Sequence, residues 1–157
     1  MALSSAFRGE GAHVLNTPFY SITIPSDLEA MPEAVRGALA RLAEHGWIEG
    51  EEEFYARLCL EEAIVNAITH ANGEDPGRTV QLRLYDEDAE CRIEVQDEGT
   101  GEFSPDAVPE PQPAQLRGRG LQLIRHFMNK VHYSQEDRVL TMRFRHKAFT
   151  NGGNCDE

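Results

Sequence analysis

Two short segments of the chain alternate apolar and polar side chains with a period of two. They cover residues 79–85 and 90–96, and a polar stretch of sequence Asp-Glu-Asp lies between them. This pattern predicts an antiparallel hairpin that buries one face and leaves the other polar. The rest of the fold must therefore provide a layer that covers the buried face.

Other segments have strand patterns as well. Residues 19–24 are β-branched and aromatic, and Pro25 follows them directly. We predict a first strand that ends at this proline. Residues 131–134 and 139–144 predict a closing hairpin around the polar turn at 135–137.

Apolar residues at steps of three and four predict three helices. The first follows Ser26, which with Glu29 has the spacing of a capping box, and continues to Gly46. The second covers residues 51–71, and the third starts near residue 121. The order of these elements favours an α+β two-layer sandwich, with a mixed, largely antiparallel sheet and helices packed on one face.

Length and composition limit the possible classes of protein. The 157 residues suit one domain, which we place at 17–149 between tails at 1–16 and 150–157. The net charge of -12 argues against direct binding of nucleic acid or of an anionic membrane surface. Since the sequence contains no membrane-spanning run, no secretory leader and only three widely separated cysteines, we expect a cytoplasmic protein with reduced thiols.

A polar stripe lies on the second predicted helix. Glu62, Asn66 and His70 are four residues apart, which places them on one face of a helix. A carboxylate and a carboxamide at this spacing can bind magnesium and accept a proton from a hydroxyl group. The alternative is a solvated stripe on a surface helix, and the helix alone favours that alternative.

The segment 97–101, of sequence Asp-Glu-Gly-Thr-Gly, follows the third predicted strand. Asp97 could accept a hydrogen bond from an exocyclic amine, and Gly99 and Gly101 allow a ligand to approach the backbone closely. A simple turn rich in aspartate and glycine explains the pentapeptide equally well.

A glycine-flanked arginine comes before the third predicted helix, in the sequence Gly118-Arg119-Gly120-Leu121. The free N–H groups at a helix start favour phosphate, although an ordinary glycine-flanked helix start is also a fair interpretation. Residues 101–118 include four prolines and few strongly apolar side chains. We predict that this long loop is a lid.

The three motifs occur in one order that resembles a known superfamily. They are similar to the N, G1 and G2 boxes of the GHKL ATPases, here Glu62-x-x-x-Asn66-Ala67-x-x-His70, Asp97-x-Gly99-x-Gly101 and Gly118-x-Gly120. Within that superfamily, residues 19–146 resemble the small bacterial anti-sigma-factor serine/threonine protein kinases. The resemblance implies a Bergerat-type fold that binds ATP and magnesium.

The resemblance also implies roles for individual residues. Asn66 would be a magnesium ligand, and Glu62 the catalytic base toward an acceptor hydroxyl. The remaining candidates would bind ATP through its adenine or its phosphates: Asp97, Gly99, Gly101, Gly118, Arg119, Gly120, Leu121 and Thr141. His70 matches a family histidine, but a capping or packing role is equally consistent, so we leave it outside the catalytic set.

The function implied by the resemblance is that of an ATP-dependent serine/threonine protein kinase and anti-sigma factor in a bacterial partner switch. Its partners would be a STAS-type anti-anti-sigma protein, which it phosphorylates, a sigma factor, and a second copy of itself in a homodimer. The alternative is a non-catalytic module in which ATP only controls the affinity for a protein partner. A correctly placed Glu62 is necessary for the first function but does not exclude the second.

Overall fold

A computed structural model of the protein describes residues 17–100 and 120–145. The predicted tails at 1–16 and 150–157, and the predicted lid at 101–118, lie outside the described residues. The described elements are β1 (Tyr20–Pro25), a 3-10 turn (Leu28–Ala30), α1 (Met31–Glu44), α2 (Glu52–Val65), a π-helical segment (Asn66–Ala71), β2 (Thr79–Asp86), β3 (Glu90–Gln96), α3 (Gly120–Phe127), β4 (Lys130–Ser134) and β5 (Val139–Arg145). In this part of the chain, no helix has the length and apolar character needed to cross a membrane.

The strands form one five-stranded sheet in the order β1-β2-β3-β5-β4. Each neighbouring pair is antiparallel. Both predicted hairpins are present, β2 with β3 and β4 with β5, because their period-two patterns define one buried face each. The α+β sandwich with a largely antiparallel sheet is confirmed, and every pairing among the described strands is antiparallel.

The core lies between one face of the sheet and the helices. Alternate residues of the three central strands face it and are buried: Val80, Leu82, Leu84, Cys91, Ile93, Val95, Leu140, Met142 and Phe144. The helices contribute Leu42, Leu60, Ile64 and Ile124, each fully buried in the same cluster. The two layers therefore share one core, and the ends of the strands lie at its rim.

The opposite face of the sheet carries paired charges. Arg83 contacts Glu94 at 3.0 Å, Arg92 contacts Glu87 at 2.9 Å, and Arg143 contacts the same Glu87 at 3.2 Å. Since side chains alternate along a strand, these residues lie on the face away from the core. The second face is polar, as the sequence pattern predicts.

The predicted capping box at Ser26 is not formed. The adjacent Asp27 caps the helical region instead, since its Oδ1 accepts a 3.0 Å hydrogen bond from the backbone N–H of Glu29. Ser26 is buried, and its hydroxyl donates to the carbonyl of Ile68 at 3.3 Å. The hydroxyl of Ser26 therefore bonds to the π-helical segment, and Asp27 is the N-cap of the 3-10 turn that follows.

The second predicted helix has the expected length but changes its winding. It is α-helical over Glu52–Val65 and π-helical over Asn66–Ala71. The backbone N–H of Asn72 donates to the carbonyl of Ala67, five residues earlier, at 2.9 Å. Gly73 follows with a φ of 65°, which glycine adopts without strain. π-Helical turns of this kind are often found at functional sites.

Candidate functional site

Glu62 lies on α2, and Asn66, one turn later, is the first residue of the π-helical segment that continues this helix. The backbone N–H of Asn66 contacts the carbonyl of Glu62, so the helix is still α-helical between the two side chains. Glu62 is half-buried and Asn66 is 6% exposed. The side chain of Asn66 carries a carbonyl oxygen that can accept or bind a cation and an amide nitrogen that can donate. The oxygen is the kind of ligand that magnesium takes in proteins.

His70 has a different environment from these two residues. It lies near the end of the π-helical segment that begins at Asn66, and the wider turn of this segment changes the angular step between Asn66 and His70. Its side chain is exposed, whereas Asn66 is buried. Of the three residues of the predicted stripe, Glu62 and Asn66 are at least partly buried, whereas His70 is exposed.

Asp97 is a buried carboxylate at the end of β3, with an exposed fraction of 4%. Its Oδ1 accepts hydrogen bonds from the backbone N–H of Gly99 at 2.9 Å and from Nε of Arg138 at 2.8 Å. Its Oδ2 accepts from the hydroxyl of Tyr133 at 2.7 Å. A carboxylate has about four acceptor positions, so these three donors leave one of them, on Oδ2, for a ligand.

Tyr133 keeps its proton in this arrangement. Burial raises the pKa of its hydroxyl, and the hydrogen bond to Asp97 and the charge of that carboxylate raise it further. The phenol is consequently a stable donor at neutral pH. It fixes one side of the carboxylate, and Arg138 fixes the other.

The loop after β3 is attached to the end of the π-helical segment. The backbone N–H of Glu98 donates to Oδ1 of Asn72 at 2.8 Å, and Nδ2 of Asn72 donates to the carbonyl of Thr79 at 3.0 Å. The carboxylate of Glu98 in turn accepts from the N–H of Thr79 at 2.8 Å. These bonds hold the Asp97 loop against the helix that carries Asn66.

Gly99 packs directly against this helix end. A Cβ at Gly99 would collide with the carbonyl oxygen of Ala71 and with the guanidinium of Arg138. The sequence suggests that this glycine lets a ligand approach the backbone. The structure gives a second reason, which is that the loop itself approaches the backbone of the helix.

The chemistry of these groups suits a nucleotide with a divalent cation. A buried acceptor such as Asp97 fits an exocyclic amine of a base, and the amide oxygen of Asn66 fits magnesium. No group of three potential metal-binding His, Cys, Asp or Glu side chains occurs in the described residues. Magnesium commonly takes only one or two protein ligands and completes its shell with phosphates and water, so a single amide is compatible with it.

Comparison with known proteins supports this interpretation. Residues 24–144, most of the chain, match the family described as Histidine kinase-like ATPase domain. The chain belongs to this family. The predicted resemblance to GHKL ATPases is thereby confirmed, and the matched range runs from the end of β1 to the end of β5.

One similar protein is a kinase by name. The histidine kinase-like ATPase domain described here is 32% identical over 89 residues to the serine/threonine-protein kinase BtrW of Bordetella bronchiseptica (strain ATCC BAA-588 / NCTC 13252 / RB50). The match covers 54% of this chain and 63% of that relative, so it spans less than two thirds of the relative's length. The match supports a kinase or ATPase family.

The structure brings some predicted site residues of this histidine kinase-like ATPase domain together. Glu62 lies on α2 and Asn66 on its π-helical continuation, and Asp97 and Gly99 lie at the start of the loop attached to the end of that continuation. Gly120 is the first residue of α3, which packs on α2 through Phe127 and Tyr55, with ring centroids 4.5 Å apart. Further predicted site residues, or their side chains, lie outside the described parts: Gly101, Gly118, Arg119 and the side chain of Leu121.

Thr141 is placed away from Asp97. It pairs with Glu94 of β3 and with His132 of β4, and its neighbours Leu140 and Met142 are the residues that face the core. Thr141 therefore lies on the charged face of the sheet, whereas Asp97 lies on the core side. The predicted adenine contact of Thr141 is not part of the group that the structure assembles.

Four residues of the site were not singled out from the sequence: Asn72, Glu98, Tyr133 and Arg138. Arg138 and Tyr133 are 41 and 36 residues from Asp97 along the chain, and their contacts depend on strand pairing. The sequence carries one indication of Asn72, since it follows the helix directly and asparagine often ends helices.

Proposed function

We propose that this protein is an ATP-dependent serine/threonine protein kinase that acts as an anti-sigma factor in a partner switch. Its substrate would be a serine or threonine of a STAS-type anti-anti-sigma protein. A sigma factor would be its second partner, and the kinase would work as a homodimer. The family membership supports ATP as the phosphoryl donor.

One observation carries this proposal. Glu62 on α2 and the buried Asn66 lie one turn apart, and the π-helical segment that begins at Asn66 is joined at its end to the loop of the buried Asp97. A group that can accept a proton, a group that can bind magnesium and a group that can bind a base are thereby attached to one rigid unit. Phosphoryl transfer needs mainly this kind of positioning.

Different residues would bind the base and the phosphates of the nucleotide. Asp97 would accept a hydrogen bond from the 6-amino group of adenine, and Gly99 would hold the loop close to the helix. Asn66 would bind magnesium through its amide oxygen. The N–H groups at the start of α3, with Gly118, Arg119, Gly120 and Leu121, would bind phosphate oxygens.

Glu62 would act on the protein substrate. Its carboxylate would accept the proton of the acceptor serine or threonine hydroxyl as that oxygen attacks the terminal phosphorus. Magnesium, when bound, supplies positive charge to the phosphate oxygens. The half-buried position of Glu62 leaves part of its side chain accessible to a docked hydroxyl group.

The test is an incubation of the full chain with ATP, magnesium and the STAS-type antagonist encoded nearest to it, followed by intact mass measurement of both proteins. We expect the antagonist to gain one phosphoryl group with the parent protein and with Glu61→Gln. We expect no gain with Glu62→Gln. Glu61 is a matched control because it is the adjacent half-buried glutamate on the same helix. Transfer by Glu62→Gln at the parent rate would contradict the role of Glu62.

The same experiment separates the kinase from a non-catalytic module. If ATP changes the affinity for the antagonist while neither protein gains mass, ATP only controls binding. If ATP does not bind at all, the proposed function is wrong as a whole.

A further inference from the structure

We propose that Arg138 is a positioning residue that makes the site select a base with an exocyclic amine. This inference rests on the nucleotide binding proposed above and goes beyond it. Arg138 would act through Asp97, by fixing the plane of the carboxylate so that its remaining acceptor position keeps one direction. The ligand class is an adenine nucleotide, as opposed to a purine nucleotide without the 6-amino group.

The contacts of Asp97 show how this positioning works. Arg138 and the N–H of Gly99 both donate to Oδ1, and Tyr133 donates to Oδ2. Three donors from three segments of the chain prevent rotation of the carboxylate. The Arg138 bond is the one in which donor and acceptor are both charged, so it adds an ion pair to the hydrogen bond.

The backbone of Arg138 is attached to the same place. Its carbonyl accepts from the N–H of Asp97 at 3.0 Å, and its own N–H donates to the carbonyl of Ser134 at 2.7 Å. A second side-chain bond, from NH1 to Gln135 at 3.3 Å, holds the guanidinium from the other side. Main chain and side chain thus fix Arg138 relative to Asp97.

The conformation of Arg138 indicates that its side chain has a specific task. Its φ is 60°, in the left-handed region that glycine or asparagine adopts more easily. An arginine at this turn is therefore strained, and the turn alone does not require one. The side chain is only 15% exposed and forms an ion pair with a carboxylate that is 2% exposed. The burial and the ion pair are what the arginine contributes.

Removal of Arg138 should weaken only the part of the ATP affinity that comes from the hydrogen bond between Asp97 and the 6-amino group. If Arg138 is removed, Asp97 loses a strong donor, and the carboxylate can rotate. Binding through sugar and phosphates does not involve this carboxylate. A nucleotide that lacks the 6-amino group should therefore not sense the substitution.

The experiment measures the affinity of the full chain for two ligands by calorimetry in the presence of magnesium. The ligands are ATP and purine riboside triphosphate, which lacks the 6-amino group. We expect the parent to prefer ATP. We expect Arg138→Gln to lower the affinity for ATP about tenfold and to leave the affinity for the amine-free nucleotide within about twofold. Arg138→Lys keeps the charge without the planar donor group, and we expect an intermediate loss of preference.

Arg143→Gln is the matched control. Arg143 lies on β5, the strand that Arg138 directly precedes, and it is paired with Glu87 and faces away from the core, so the ratio of the two affinities should remain that of the parent. An equal loss for both nucleotides in the folded Arg138 variants would show a merely structural role and overturn the inference. An unchanged ratio, or a parent protein that does not prefer ATP, would overturn it as well. A parent that binds neither nucleotide would instead contradict the proposed function.

Discussion

The side-chain amide of Asn72 bridges Glu98 and Thr79, which belong to different segments of the chain. Its Oδ1 accepts from the N–H of Glu98 at 2.8 Å, and its Nδ2 donates to the carbonyl of Thr79 at 3.0 Å. Asn72 is 1% exposed, and both bonds are partly buried. The end of the helix that carries Asn66 is joined in this way to the loop after Asp97.

The bridge leads to a prediction for Asn72→Ala. Two partly buried backbone groups, the N–H of Glu98 and the carbonyl of Thr79, lose their partner, and each hydrogen bond contributes about 0.5–1.5 kcal/mol, so we expect the free energy of unfolding to fall by about 2 kcal/mol. Urea unfolding measures this change, and hydrogen exchange at the Glu98 amide should become faster.

The control is Asn129→Ala, since Asn129 accepts one exposed hydrogen bond from the N–H of Arg145. That variant should lose no more than about 1 kcal/mol. Equal losses in the two variants would contradict the special role of Asn72.

Asp97→Asn should affect both binding and stability. The amide cannot accept from Tyr133 and Arg138 as the carboxylate does, and breaking a buried ion pair costs about 3 kcal/mol. We also expect ATP affinity to fall more than tenfold, because an Asn presents a donor where an acceptor is needed. Calorimetry with ATP and magnesium, on protein shown to be folded by circular dichroism, checks the second effect. Equal ATP affinity in the variant and the parent would disprove the adenine role.

Local pattern and long-range contact explain which parts of this structure the sequence predicts. The period-two alternation in β2 and β3 depends only on which face is buried, so the hairpin follows from it. The change to a π-helix at Asn66 leaves the apolar spacing of the sequence almost unaltered and could not be predicted from it. Ser26 has the spacing of a cap, but a contact with Ile68, 42 residues away, determines its position.

The same distinction between local pattern and long-range contact applies to the residues of the candidate site. Glu62 and Asn66 are recognised from their spacing on one helix, and Asp97 from its motif after a strand. Tyr133 and Arg138 belong to the site only because the β4–β5 hairpin pairs beside the end of β3. A residue whose role depends on sheet order has no local pattern that would show it.

Glu62→Ala and Asn66→Ala should have different effects. Glu62→Ala removes the proposed base, so we expect ATP binding to persist while phosphoryl transfer falls at least about a hundredfold. Asn66→Ala removes the proposed magnesium ligand, so both magnesium-dependent ATP binding and transfer should fall. Calorimetry with and without magnesium, together with transfer rates, checks the pair. If Asn66→Ala binds ATP and magnesium as the parent does, Asn66 is not a ligand.

Gly99→Ala tests the close approach of the Asp97 loop to the helix. The new methyl group would overlap the carbonyl of Ala71, which is backbone and cannot rotate away. We expect a loss of about 2 kcal/mol in the free energy of unfolding. Gly77→Ala is the control, because its nearest neighbour is the Asp75 carboxylate at 3.3 Å and the residue is exposed. Its effect should stay within about 0.5 kcal/mol.

Two buried cysteines should make the free energy of unfolding fall at alkaline pH. Cys59 and Cys91 are both fully buried in the core. Burial raises the pKa of the Cys59 thiol to about 12. Burial also raises the pKa of Cys91, and the nearby charges of Asp86 and Glu87 add to the effect. Both thiols therefore stay protonated in the folded state at pH values where an unfolded chain ionises them.

The sign of the effect follows from these raised values. An unfolded thiol has a pKa near 8.5, so stability is fully present below about pH 8.5 and falls as pH rises toward the folded-state values. Between about pH 7.5 and about pH 10, the two thiols together should lower the free energy of unfolding by about 4 kcal/mol. Urea unfolding at the two pH values measures the fall, and the variant Cys59→Ala/Cys91→Ala serves as the control because other groups titrate equally in both proteins. The free energy of unfolding of this variant should fall by about 4 kcal/mol less than that of the parent. An equal loss in the parent and the variant would mean that the thiols ionise as readily in the folded core as in the unfolded chain. That result would contradict the raised pKa values of the two thiols.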